Sequence, residues 1–199
     1  EALQDATDDP QMVTKFAGNL YRESRRLGSL VQEIIQLSRL QSADLSKTGD
    51  LVDLEGIVHE SVERNQVISE AKNITLEVDA PSGIVVYGDH EMLTMAVKNL
   101  IENAILYSES GSSVGIGLRS IDGIAEIAVT DHGVGIAAED QERIFERFYR
   151  VDPSRSRETG GTGLGMTLMN SIVEAHEGQL AISPSALGGL KLEIKLPLN

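Results

Sequence analysis

Two asparagines four residues apart, Asn99 and Asn103, sit in the run NLIENAILYS (99–108), where a helix would put both on one edge beside Glu102. Lysine and glutamate are better helix formers on a merely solvated edge, so paired carboxamides ask for another reason. An asparagine carbonyl is a hard oxygen ligand, suited to a magnesium ion that keeps its waters and its phosphate partners. Downstream, VTDHGVGI (129–136) reads as a strand that runs into Asp131 and stops at Gly133 and Gly135. A carboxylate at a strand end can accept a hydrogen bond from an exocyclic amine, and the glycines let backbone approach a flat ring. RIFERFYRVD (143–152) interleaves Phe145, Phe148 and Tyr149 with Arg143, Arg147 and Arg150. The aromatics could anchor a segment whose guanidiniums lean over phosphate. The polar PSRSRET (153–159) that follows has no core pattern and reads as a lid. Last comes GGTGLGMT (160–167), which matches the phosphate-loop pattern G-x-x-x-x-G-K-[ST] at Gly160, Gly165 and Thr167 but has Met166 in place of the lysine. No hydrophobic strand precedes it, and the dinucleotide pattern G-x-G-x-x-G fails as well. What survives is a glycine-rich turn feeding a helix N-terminus, where unpaired N–H groups favour an anion. Each patch taken alone also has a plainer explanation: solvated helix surface, an exposed turn, or core aromatics flanked by solvated arginines.

The elements that must position these patches follow from periodicity. Asp9-Pro10 predicts a helix start, and apolar residues then follow a heptad to about Gln41: Val13, Leu20, Leu27 and Ile34 on one position, Phe16, Leu30 and Leu37 on the other. Glu23 interrupts the pattern, and Ala17, Val31 and Ile35 widen the stripe toward the face of a bundle helix. Such a helix needs partners. EALQDA before it reads as the tail of another helix, so the expectation is a fragment whose missing hairpin half dimerises. A polar linker beginning SADLSKTG spans 42–52. Beyond it helix and strand signals alternate: helices near 54–70, 89–107 (started by Asp89) and 164–175; strands near 74–78, 84–87, 112–120, 123–131, 178–185 and 189–198, with a turn at Asp122-Gly123. Helices clustered on one face of a mixed, largely antiparallel sheet satisfy that order, giving an α+β two-layer sandwich preceded by a long bundle or coiled-coil helix.

Charge and composition narrow the functions. A net charge of −14 leaves no continuous basic surface for a nucleic-acid backbone. The absence of cysteine excludes disulfides, thiolate metal sites and thiol catalysis. No apolar run reaches the roughly 20 residues of a membrane span, which leaves open a soluble portion of a membrane protein.

In their order and spacing, NLIENAILYS, DHGVGI, ERFYRVD and GGTGLGM resemble the N box, first glycine box, F box and second glycine box of bacterial sensor histidine kinases. That family shares the GHKL superfamily, with its Bergerat fold, with DNA gyrase B, heat-shock chaperone ATPases and mismatch-repair ATPases. The resemblance covers residues 53–199 as a catalytic ATP-binding domain. It makes 1–41 a truncated dimerisation and phosphotransfer hairpin that ends in the usual LSRLQ. It implies ATP and Mg2+ as ligands, with Asn103 holding magnesium assisted by Asn99, and Asp131 binding the adenine amine. Tyr107 would stack on the base, while Gly133, Gly135 and Ile136 shape its pocket. Arg147 and Arg150 would contact phosphate, and Gly161, Thr162, Gly163, Leu164 and Gly165 would carry the lid hinge and the triphosphate-facing helix start.

The implied partners are a response regulator and a second copy bound through the hairpin in the intact protein. The implied setting is cytoplasmic, with the membrane reached only through segments preceding these, as in receptor kinases related to phosphate sensors. Two departures stand out. Leu106 occupies a position where many members carry a phosphate-reaching lysine. The phosphoacceptor box is absent, since none of His59, His90, His132 and His176 has its context; His59 and His176 fall in helices and read as ordinary, partly exposed residues.

Overall fold

The computed structural model of the chain describes residues 10–40, 49–141, 143–149, 151, 163–185 and 188–198. Helix α1 (Pro10–Leu40) leads, followed by β1 (Asp50–Asp53), α2 (Leu54–Lys72), β2 (Thr75–Asp79), β3 (Val85–Gly88) and α3 (His90–Tyr107). Strands β4 (Ser113–Ile121) and β5 (Ile124–Thr130) precede a single 3-10 turn (Arg143–Phe145); α4 (Gly165–Ala175), β6 (Gln179–Pro184) and β7 (Leu190–Pro197) complete the order.

The main sheet has five strands in the order β2-β4-β5-β7-β6, parallel between β2 and β4 and antiparallel elsewhere. Alternation along the strands sends Val114, Ile116 and Leu118, Ala125, Ile127 and Val129, and Leu192, Ile194 and Leu196 to the helix side. There they meet Leu54, Ile57 and Val58 of α2, Leu93, Val97, Leu100 and Ile101 of α3, and Leu168, Met169 and Ile172 of α4 in one core. The other face stays open and charged, with Glu126 near Arg119, Lys191 and Lys195. A sheet with one solvated face must be patterned this way, and the expected two-layer sandwich is what forms.

Residues 50–52, expected in the linker, instead join Asp53 in β1, which pairs antiparallel with β3 as a separate two-stranded ribbon. Only Val52 of β1 is buried, too weak an alternation to read from sequence. Asp89, expected at a helix start, caps α3, its Oδ1 accepting from the Met92 amide at 2.9 Å; Asp53, which the sequence does not single out, caps α2, its Oδ1 accepting from the Glu55 amide at 3.2 Å. The segments 1–9 and 41–48 lie outside the described residues.

Helix α1 keeps its predicted length, but Leu20, Leu27, Val31, Ile34 and Ile35 of its heptad stripe are exposed, with Val13, Phe16 and Leu30 half-buried. It packs against α4. No described helix is long and apolar enough to cross a membrane.

Candidate functional site

Helix α3 supplies one wall. Leu93, Ala96, Val97, Leu100, Ile101 and Ala104 face the core, which leaves Asn99 and Asn103 half-buried on the adjoining edge. Glu102, expected beside them, is held by Lys98 at 2.6 Å, so it is not free to act on a ligand. Asn103 Nδ2 donates to the Met166 sulfur at 3.4 Å, which brings the second turn-edge carboxamide of α3 against the start of α4. Asn99 makes no side-chain hydrogen bond to another described residue. Neither does Asn103 Oδ1, and both carbonyls are left to a ligand.

The C-terminus of α3 is fastened by a residue the sequence did not single out. Lys72, last in α2, donates its ammonium to the Ile105 carbonyl at 2.9 Å and to the Leu106 carbonyl. A cation there also suits the negative end of the helix dipole. Burial holds that ammonium below its usual pKa. Tyr107, the last helical residue, is 52% exposed and presents an uncovered ring.

At the end of β5 Asp131 is only 6% exposed. Its Oδ1 accepts from the Gly133 amide at 2.7 Å and the Leu190 amide at 3.1 Å. Two backbone donors on one oxygen fix the carboxylate's orientation, leaving the other oxygen to accept from outside. Close packing holds this corner together. A side chain on Gly133 would place a Cβ 2.6 Å from the Tyr107 carbonyl oxygen, and one on Gly189 would overlap the Asp131 backbone. Gly189 was missed from the sequence because it lies 58 residues away in the chain, on the β6–β7 turn. Gly135 takes φ of +69°, and Ile136 is half-buried against the core.

The arginine-rich segment is anchored differently from expectation. Its buried apolar residue is Ile144, whereas Phe148 is 61% exposed and adopts φ of +65°, a left-handed conformation uncommon outside glycine. Arg143 stacks 4.2 Å over the Tyr149 ring, whose hydroxyl donates to Asp140 at 2.5 Å. That hydrogen bond pushes the phenol above its usual pKa. Arg143 is therefore spent on the segment itself. Arg147 is exposed and pairs with no described residue, which leaves it available to an anion.

Two bonds join this segment to the glycine turn: the Phe148 amide donates to the Gly163 carbonyl at 3.1 Å, and Thr167 Oγ1 to the Phe145 carbonyl at 3.0 Å. Leu164 caps α4 without a side-chain hydrogen bond and is buried, and the first bond of the helix runs from the Leu168 amide to Leu164. The amides of Gly165, Met166 and Thr167 therefore precede the ladder, the arrangement an anion prefers. Arg150, Gly161 and Thr162, with the lid segment 153–159, lie outside the described residues.

Behind the site, His176 corrects its reading as partly exposed: it is 2% exposed. The Asp89 amide donates to Nε2 at 3.0 Å, and Nδ1–H donates to the Ile172 carbonyl at 2.7 Å. A helix-ending polar residue looks solvated in sequence; here the ring is enclosed because α3 starts on top of it.

Joined by these contacts, α3, the end of β5, the arginine segment and the start of α4 offer one oxygen of a fixed carboxylate, an exposed ring, two carboxamide oxygens, a helix start ahead of its ladder and an unpaired guanidinium. A flat heteroaromatic amine, an anion and a hard cation could be held together. Among the described residues no three of His, Cys, Asp and Glu cluster as a metal site, so a cation here would draw most of its ligands from water and the anion. Hollows of about 580 Å³ beside Pro10–Gly18 and about 400 Å³ on the open sheet face touch none of these groups.

Residues 88–199 match the family described as histidine kinase-, DNA gyrase B- and HSP90-like ATPases. The chain is 44% identical over 197 residues to the sensor-like histidine kinase SenX3 of Mycolicibacterium smegmatis, aligning over 99% of its own length and 51% of the relative's. Among solved structures it is similar to the mycobacterial sensor histidine kinase MprB, with 32% identity, a TM-score of 0.65, and coverage of 75% of this chain and 97% of that one. It also shares the fold of full-length ShkA, solved in complex with AMPPNP, at 24% identity and a TM-score of 0.72, covering 96% of this chain and 39% of that one. The chain spans about half the length of the SenX3 relative it matches.

Proposed function

The chain belongs to the histidine kinase-, DNA gyrase B- and HSP90-like ATPase family, in its sensor histidine kinase branch, and on that premise we propose that it binds Mg-ATP across α3, β5 and α4. The observation that carries the reading is the Asn103–Met166 contact, which brings the Asn103 carboxamide to the first turn of α4, while the close packing of Gly133 on the Tyr107 carbonyl sets Asp131 near the end of the same helix α3. The free oxygen of Asp131 takes the adenine amine, and Tyr107 covers one face of the base. Asn103 holds magnesium with Asn99 assisting, while the α4 start and Arg147 take the phosphates. Arg150, Gly161 and Thr162 would complete the phosphate end.

When bound, magnesium neutralises phosphate charge and shields the reacting group. The residues of this chain position the nucleotide and supply fixed dipoles, which is most of what phosphoryl transfer needs. In the whole protein, the γ-phosphoryl group passes from ATP to an imidazole nitrogen on a helical hairpin, leaving ADP, and then to a response-regulator aspartate. The exposed stripe of α1 fits a homodimeric bundle, and the likeness to sensor histidine kinases supports reading the chain as the cytoplasmic part of a membrane receptor.

Asparagine at 99 bears on the reaction type, since a carboxamide cannot act as a general base toward water. The site is therefore suited to storing phosphoryl potential for a histidine. The test mixes the chain with labelled ATP and a separately supplied hairpin that carries the phosphoacceptor histidine. Label should move to the hairpin. Nucleotide binding without any transfer would favour a nucleotide-sensing interaction module, and steady hydrolysis without the hairpin would favour an ATPase.

A further inference from the structure

The amide of Asn103 has two ends of opposite character, and only one can serve a cation. A thioether sulfur accepts hydrogen bonds and cannot donate them. With the Met166 sulfur 3.4 Å from Nδ2, the NH2 end is engaged and the carbonyl end must point away from the sulfur. The reversed amide would set oxygen against sulfur, two acceptors facing each other. Met166 is half-buried against the core at the second position of α4, so its side chain is held in place by packing and its backbone amide is one of those at the free helix start. We infer that Met166 is a positioning residue: its thioether orients the Asn103 amide so that Oδ1 faces a magnesium ion held between α3 and the phosphates at the start of α4.

This rests on the Mg-nucleotide reading of the site and assigns a task to a residue that the phosphate-loop pattern would fill with lysine. A lysine there would donate to Oδ1 and bring a second positive charge to the cation. A leucine would pack as well but leave the amide free to turn, offering its NH2 to the metal part of the time.

Calorimetry on the whole chain distinguishes the possibilities. Mg2+ is titrated into protein saturated with ADP, and ADP is titrated separately in excess EDTA. For Met166→Leu the Mg2+ midpoint is expected to rise about threefold to tenfold, the loss of one modest hydrogen bond, with metal-free ADP affinity and melting temperature kept. Met166→Gln, whose carbonyl oxygen can accept from Nδ2, is expected to return the midpoint to within about twofold of the parent. An unchanged Mg2+ midpoint in the leucine variant overturns the inference. So does an equal loss of ADP binding in EDTA, or a glutamine variant no better than leucine, because the sulfur would then act through packing alone. If the parent chain binds no ADP in either buffer, the nucleotide site itself fails, a result separable from all of these.

Discussion

At the residue scale, the site works by making each polar group point one way. Asp131 shows this best, because two amides hold one oxygen and leave the other for a ligand. In Asp131→Asn the carboxamide oxygen can keep both amides, which turns the NH2 outward, donor toward donor for an adenine amine. ATP affinity is expected to fall about 10- to 100-fold while the fold survives, as loss of a charge-assisted bond predicts. The outward NH2 suits the carbonyl of guanine, so the GTP-to-ATP affinity ratio should rise; competition binding measures both. Asn99→Glu tests the other end of the site. A carboxylate one turn before Asn103 can activate water, and steady-state ATP hydrolysis is expected to increase at least about tenfold. An unchanged rate with nucleotide still bound would remove Asn99 from the account of reaction type. Asp131 and the asparagine pair were legible in the sequence because their chemistry is odd for their surroundings. Gly189, Lys72 and Met166 were not, since each acts on a partner at least 33 residues away.

At the element scale, α3 and α4 lie antiparallel and are tied near both ends. Met166 meets Asn103 at one end, and His176 accepts from the amide of Asp89, the residue that caps α3, at the other. The distal tie is the more exacting, because a Cβ on Gly88 would fall 2.5 Å from the imidazole ring. It is also sensitive to protons. Burial holds the imidazole below its usual pKa of about 6.5, against the opposing pull of the Ile172 carbonyl and the Asp89 carboxylate. A folded pKa below the unfolded one means that the unfolded chain binds the proton better, so the stabilisation is complete above about pH 6.5 and is lost as pH falls toward the folded value. Protonated Nε2 could no longer accept from Asp89. His176→Gln is expected to cost about 1–3 kcal/mol at pH 7.5 from buried hydrogen bonds. Its melting temperature should also drop less than the parent's between pH 7.5 and 5.5; equal drops would take His176 out of the pH dependence. Helix periods and caps were readable here because they depend on neighbours within a turn. The ribbon strand β1 was not, because a four-residue strand with one buried side chain is recognised only by its partner β3.

At the scale of the whole molecule, the α+β sandwich covers its own apolar face and α1 does not. The sheet's apolar face is covered by three helices, whereas α1 carries its apolar stripe into solvent along most of its length. Self-association that grows with concentration is expected in sedimentation experiments, and Leu27→Glu with Ile34→Glu should shift the chain toward monomer without lowering nucleotide affinity. A parent that stays monomeric at high concentration would count against pairing through this stripe. The sequence by itself determined the layers, the helix starts, the order of the site's patches and the types of group they offer, because periodicity, capping and residue chemistry are local. Only the tertiary structure decided which atoms of Asn103 and Asp131 are engaged by partners within the chain, that Ile144 and not the aromatics anchors the arginine segment, and that His176 lies beneath α3. Those outcomes depend on partners brought together by packing the helices onto one face of the sheet, and no spacing along the chain encodes the distance between them.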